Sequence, residues 1–326
     1  MRSGSSTAPR ATPTQSSVEA PSPLAWQPMA EVDRSGEGVT SVSCASSSFC
    51  VAVDKAGNAL TYRGAAWGAP QAVDPEGLGL ESVSCPSVTF CAADDNSGNV
   101  LTYNGSDWSA PQRVAPEFVG SSQVSCASAS FCMLVTNAHD TVTYDGRSWA
   151  TTKYELGSAP SALACPSSSF CVGVMSGIPA SAVATYDGTT WGEPVTVDPN
   201  GSLKAVSCVS VSFCVAVGAP SPSTNPSSKE GQSGHAFSYD GSSWSAPTLL
   251  GLRSLAASLN TVSCTSKTFC VTAGSGLVSI FDGKSWSEPT QVTDPSQMGF
   301  AAVSCVSASF CVGITANGYA AIGRSG

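Results

Sequence analysis

The chain has 326 residues, a formal charge of −9 and only 11% charged side chains. The acidic balance excludes nucleic acid as a partner, because phosphate binding needs a basic stripe, and it argues equally against an anionic membrane face. No apolar run reaches the roughly 18 residues that cross a bilayer as a helix, so no membrane insertion is expected.

Residues 1–22 read MRSGSSTAPRATPTQSSVEAPS. This Ser/Thr/Pro/Ala stretch has no apolar pattern to bury and is expected to be a disordered tail or linker. It lacks the apolar core of a signal peptide, so a removed leader or a missing upstream domain is expected. The ordered domain is expected to span residues 23–326.

From residue 40 onward one unit repeats. Each copy carries a cysteine pair with five residues between, and a Phe precedes every second cysteine. The pairs are Cys44/Cys50, Cys85/Cys91, Cys126/Cys132, Cys165/Cys171, Cys208/Cys214, Cys264/Cys270 and Cys305/Cys311, which use all 14 cysteines. First cysteines recur every 39 to 43 residues, with one step of 56. A period near 40 residues with Gly-rich turns is the mark of a repeat architecture.

Residues 40–77 give the unit in order. Thr40–Cys44 alternates and predicts a first strand. Ala45–Ser48 is a small turn, and Phe49–Val53 a second strand. Asp54–Asn58 carries the Asp, Gly and Asn of a hairpin turn. Ala59–Tyr62 is a third strand. A tight turn follows, reading Tyr-Asp-Gly in other copies, and Trp67 opens a fourth strand through Val73. Four short antiparallel strands per 40 residues make a propeller blade. No segment has helical spacing of apolar residues.

The cysteine spacing predicts one disulfide per blade. Zinc ligands pair at two to four residues, usually with His, and the chain has two His. Residues facing each other across such a hairpin have Cα atoms about 4.5–5.5 Å apart, within disulfide reach. Stable disulfides imply an oxidising compartment, so a secreted, extracellular protein is expected.

Trp26, Trp67, Trp108, Trp149, Trp191, Trp244 and Trp286 mark the fourth strands. Trp26 precedes every cysteine pair, and no Trp follows the last pair. AWQPMAEVD around Trp26 matches AWGAPQAVD around Trp67. The fold expected is therefore an all-β seven-bladed β-propeller whose last blade is completed by the N-terminal segment. The repeated Trp is read as packing between blades. The longest insertion, Ala219–His235, lies between the second and third strands of blade 5 and reads as a mobile loop.

The disulfide hairpins and Tyr-Asp-Gly turns fall on one face of the disc, and their uniformity marks it as scaffold. The second-to-third strand turns and blade connections fall on the other. Innermost strands begin there at Thr40, Glu81, Ser122, Ser161, Lys204, Asn260 and Ala301. Glu81, Gln123, Lys204 and Asn260 are the candidate hydrogen-bonding groups at the channel mouth. Phe118, Phe300 and Tyr319 are candidate exposed aromatics that would stack on a sugar or anchor a protein loop.

Catalytic and metal signals are weak. Tyr-Asp-Gly-x-x-Trp resembles the Asp-box of sialidase propellers, but Asp and Gly are adjacent here, and the motif is a structural turn in either case. Arg34, Arg113 and Arg253 fall in separate connections, with Arg113 expected on an outer strand. His139-Asp140 reads as a solvated turn. Asp94-Asp95-Asn96-Ser97-Gly98 has part of a calcium loop without its bidentate Glu and reads as a hairpin turn. No cofactor and no metal are expected.

Repeats such as VSCASSSFCVAVDKAGNALTYRGAAWGAP resemble those of secreted actinobacterial propellers, and the whole ordered chain is covered. Within that group the chain is similar to the lectin-like propeller subunit of the umbrella toxin particles of Streptomyces. The resemblance implies a non-catalytic, lectin-like module that docks through a small adaptor protein into a secreted complex and recognises a cell-surface glycan or receptor. It carries no binding residue across. A pure protein-interaction scaffold is the alternative, followed by a glycosidase or lyase.

Overall fold

In the computed structural model, residues 24–325 are described apart from 35–36, 116–121, 138–139, 154–159, 178–179, 222–227, 229–232, 252–258 and 294–298. They form seven antiparallel sheets arranged as a propeller. Blade 1 runs from the channel outward as Val39–Ser46, Phe49–Asp54, Asn58–Tyr62 and Gln71–Ala72. The innermost strands of the next five blades are Leu80–Ser87, Gln123–Ser128, Ala162–Ser167, Gly201–Ser210 and Thr261–Ser266. Blade 7 contributes Phe300–Ser307, Phe310–Thr315 and Tyr319–Arg324.

The N-terminal segment closes the ring as its sequence predicts. Ala25 pairs with Arg324 and Trp26 with Gly323, and further along Ala30 pairs with Ala320 and Glu31 with Tyr319. This covers an edge strand that would otherwise expose a ladder of unpaired amides.

The core lies between blades rather than within one. Phe49, Val51 and Val53 of blade 1 pack with Leu80, Val83 and Leu101 of blade 2. Phe310, Val312 and Ile314 of blade 7 pack with Val42, Ala52 and Leu60 of blade 1. Each second strand is therefore covered on both faces. Phe49–Asp54 is buried at every position, which explains why FCVAVD lacks polar alternation.

Aromatic side chains carry this coupling toward the rim. Phe49 stacks on Tyr103 of the next blade at 5.9 Å, and Tyr103 meets Trp108 of its own blade at 5.5 Å. Phe310 reaches Tyr62 at 6.2 Å and Tyr62 reaches Trp67 at 5.6 Å, so the same relay crosses the seam where the ring closes. The repeated Trp packs against the blades.

The fourth strand is more broken than the sequence predicts. Trp67 makes a single bridge to Tyr62, and pairing resumes only at Gln71–Ala72. Pro70 lies between and has no N–H to donate. Blade 3 reads WATTK, without proline, and there the strand runs unbroken over Trp149–Lys153.

All seven expected disulfides form: Cys44–Cys50, Cys85–Cys91, Cys126–Cys132, Cys165–Cys171, Cys208–Cys214, Cys264–Cys270 and Cys305–Cys311. Their geometry corrects the expectation in two ways. The Cα–Cα distances are 3.9–4.1 Å, shorter than the separation of an average hairpin, because the pairs lie beside the bulge that precedes a two-residue turn. Nor do all of them face each other in the ladder. Cys44 faces Cys50 directly, but in blades 2 and 4 the register shifts across the pair. There the last regular partners are Ser84 with Ala92 and Ala164 with Val172, each one step away from Cys85–Cys91 and Cys165–Cys171.

The second cysteine of each pair is the more deeply buried. Cys50, Cys91, Cys132, Cys171, Cys214, Cys270 and Cys311 are all 0% exposed, because each stands on a second strand that neighbouring blades cover. They are parts of the core and present nothing to a ligand.

The serine before the first cysteine has a role the sequence reading missed. The Cys44 N–H donates to Ser304 Oγ of blade 7 at 2.9 Å, and the Cys85 N–H to Ser43 Oγ at 2.9 Å. Cys126, Cys165, Cys264 and Cys305 donate likewise to Ser84, Ser125, Ser207 and Ser263. Innermost strands are edge strands, and these hydroxyls satisfy their inward-turned amides. At Cys208 the preceding blade offers Ala164, which has no hydroxyl.

Candidate functional site

The innermost strands begin on the face that carries the second-to-third strand turns. There they enclose a cavity of about 250 Å³ at the mouth of the channel, and its lining is mostly polar. Glu81, Gln123, Lys204 and Asn260, from four different blades, all line it, with Thr40 and Ser161 between them. The structure thus brings together the four polar candidates. The Glu81 carboxylate is fixed by Asn96 Nδ2 at 2.5 Å. Thr40 Oγ1 donates to the Leu80 carbonyl across the blade boundary at 2.9 Å.

The aromatic candidates do not join them. Phe300 is 1% exposed and packs against Trp26 with ring centroids 6.0 Å apart, so it is not a surface aromatic. It starts an innermost strand, but its ring turns into the space left by Gly313, where a Cβ would sit 2.5 Å from it. Tyr319 is half-buried at the start of blade 7's third strand, opposite Glu31 and outside the mouth. Its N–H donates to Thr315 Oγ1 at 3.1 Å. Phe118 lies outside the described residues, as do His139 and Arg253.

Of the candidate arginines, the described Arg34 and Arg113 do not converge. Arg34 pairs with Glu31 at 3.1 Å, and Arg113 lies on the outer strand of blade 2. The Tyr-Asp-Gly motif is a turn. Asp187 Oδ1 accepts the N–H groups of Thr189 and Thr190, which hold its carboxyl down at about 2. Gly188 has φ +99°, a conformation that glycine adopts without strain.

The stretch Asp94–Gly98 contains more than a turn. Asp95 behaves as expected, accepting the Ser97 and Asn99 N–H groups at 2.8 and 2.7 Å. Asp94 does not belong to the turn. It stands inside blade 2's second strand, one residue before its end, fully enclosed, and the Ser82 and Ser122 hydroxyls donate to it. Burial pushes its carboxyl up to about 7; those two hydroxyls oppose the shift, while the charges of Glu81 and Asp95 add to it. The sequence carried a signal. Three residues after the second cysteine the other blades have Val53, Val135, Val174, Val217, Ala273 and Ile314.

Two more buried polar groups couple neighbouring blades. Asp74, at the end of blade 1, is pushed up to about 6, first by burial and then by the charge and hydrogen bond of Asp95 in blade 2. His235 Nδ1 meets Asp198 Oδ2 of blade 4 at 2.8 Å, with both side chains buried. His235 is therefore not the end of a loop. Blade 5's second strand continues to Pro220 and its third begins at Ser233, so both ends of the supposed insertion are strand. The alternation His235, Phe237, Tyr239 marked that strand.

No protein-family model matches the chain, and no curated protein matches it. Solved structures share the architecture. The structure described as YCF48 bound to D1 peptide superposes with a TM-score of 0.68 at 15% identity, covering 95% of this chain and 99% of that one. YCF48 from Cyanidioschyzon merolae gives 0.67 at 12% identity, covering 91% and 99%. The WD40 β-propeller domain of Doa1 gives 0.65 at 10% identity, covering 92% and 97%. At these identities the likeness is one of fold, and it agrees with the propeller architecture seen in the seven sheets.

Proposed function

We propose that the protein is a secreted, non-catalytic recognition module that grips a protein partner at the channel mouth. The observation that carries this reading is the convergence of Glu81, Gln123, Lys204 and Asn260 on one polar cavity. A rigid ring holds these groups without loop ordering, which lowers the cost of binding. A propeller of similar fold has been solved with a bound peptide, which supports a protein ligand. The burial of Phe300 removes one of the stacking groups on which a sugar site would rest. Seven disulfides fit an oxidising, extracellular setting, and among the described residues no helix is long and apolar enough to cross a membrane.

The resemblance to umbrella-particle propellers favours one form of this role, docking through a small adaptor into a larger secreted complex. A lectin-like role toward a cell-surface glycan is the second form. Affinity capture from native culture supernatant separates them. A protein partner retained in excess free sugar, and lost when Glu81→Gln, Gln123→Ala, Lys204→Gln and Asn260→Ala are combined, is the expected result. Release by a free sugar would favour the lectin. Unchanged capture by the combined variant would overturn the mouth as the binding surface.

A further inference from the structure

The channel mouth is not symmetric in charge. Glu81 stands on the blade 2 wall, and Lys204 stands on blade 5, three blades around the ring. Only the blade 2 wall is backed by a buried acid at the position where the other blades are apolar. Ser82 links the two layers: the residue lines the mouth, while its hydroxyl donates to Asp94 and accepts the Val124 N–H at 2.8 Å.

Burying an ionisable group in place of valine costs free energy unless a counter-charge compensates it. The charged groups acting on Asp94 are Glu81 from the innermost strand and Asp95 from its own strand, and both are acidic. Blade 3 contributes the neutral Ser122. Beyond Asp95 stands Asp74 of blade 1, another carboxyl. The cation of the mouth, Lys204, is on the far side.

We propose that the mouth is a receptor for a cationic side chain, a lysine or arginine of a partner protein, which enters along the blade 2 wall and pairs with Glu81 in front of buried Asp94. This deepens the reading of the mouth as the recognition surface and rests on it. The cavity of about 250 Å³ admits one long side chain with its adjoining backbone. Lys204 lines the same cavity and repels a cation toward Glu81. The net charge of −9 attracts a basic partner from a distance. An arriving cation favours the ionised form of Asp94, so binding releases a proton and strengthens as pH rises through 7.

Calorimetric titration of the whole protein with two blocked pentapeptides, Gly-Gly-Lys-Gly-Gly and Gly-Gly-Glu-Gly-Gly, at pH 5.5 and pH 8 tests this. The lysine peptide is expected to bind about tenfold or more tightly than the glutamate peptide, and Glu81→Gln to remove about that factor. Lys204→Gln should tighten the lysine peptide. Asp94→Val, with the residue that most other blades use there, should keep binding but lose the gain between the two pH values. Equal binding of the two peptides, binding of neither, or indifference to Glu81→Gln overturns the proposal. If the lysine peptide fails while partner capture still depends on the four mouth residues, the recognition surface stands and the cation is wrong. If capture ignores those residues, the reading beneath it has failed instead.

Discussion

Asp94 shows how one residue departs from a repeat and changes the physics around it. Its carboxyl titrates near 7 in the folded chain, against an ordinary value of 3.8. A raised folded value means that the folded state holds the proton more tightly. That stabilisation is complete below about pH 4 and is lost as pH rises through 7. Asp74 adds to the same trend up to about pH 6. Melting temperature should therefore fall between pH 4 and pH 8, and Asp94→Val should flatten most of that slope. A wild-type melting temperature that is level or rising across that range would contradict the assignment. At Ala164 the missing hydroxyl makes the opposite test. Ala164→Ser supplies the acceptor that Ser43 and its equivalents provide, and should stabilise by about 1 kcal/mol in urea unfolding. Neither residue was read from the sequence. Asp94 falls in a run that reads as one turn, and a serine such as Ser43 is one position of an alternating strand. Ser122, which meets Asp94, and the cysteine amides that meet the serines lie in neighbouring blades, 28 to 260 residues away, and a one-dimensional pattern does not show which faces meet.

At the scale of elements, short hairpins closed by cysteines were legible because the spacing sets the geometry. Five intervening residues bring the two cysteines together across the hairpin wherever the turn takes two. The bulge beside them was not legible, because no residue type in the repeat marks it. Removing one staple, Cys126→Ala with Cys132→Ala, should cost about 2 kcal/mol on the chain-entropy account, measured by urea unfolding. A loss of nothing would mean that the hairpin is held by packing alone. The channel ring was also legible. Counting four residues back from each first cysteine found Glu81, Lys204 and Asn260 at the mouth, with Gln123 beside Ser122. Phe300 stands one position before that ring. A strand turns successive side chains to opposite faces, so this single step sends its ring into the core beside Trp26. The fourth strands were located by Trp but not resolved, because a proline such as Pro70 breaks the ladder that alternation alone predicts.

For the whole molecule, seven blades make one ring only because the two chain ends share a sheet. Ala25 and Trp26 complete blade 7, and Trp26 rests on Phe300 and over Gly323. Phe310, Tyr62 and Arg324 then tie blade 7 to blade 1, with Arg324 donating to the Tyr62 hydroxyl at 3.1 Å. The mouth exists as a cavity because the ring is shut, so the cavity and the closure are one structural property. This much followed from counting Trp against cysteine pairs. The identity of the partner did not follow, because the mouth residues are the non-repeating part of a repeating chain. The most direct measurement is the melting temperature of the chain lacking residues 24–33. The account predicts a fall of about ten degrees or more, since several kilocalories of packing and pairing are lost and each is worth about 2–4 °C in a chain of this order. A truncated chain that melts with the intact protein would contradict the closed ring.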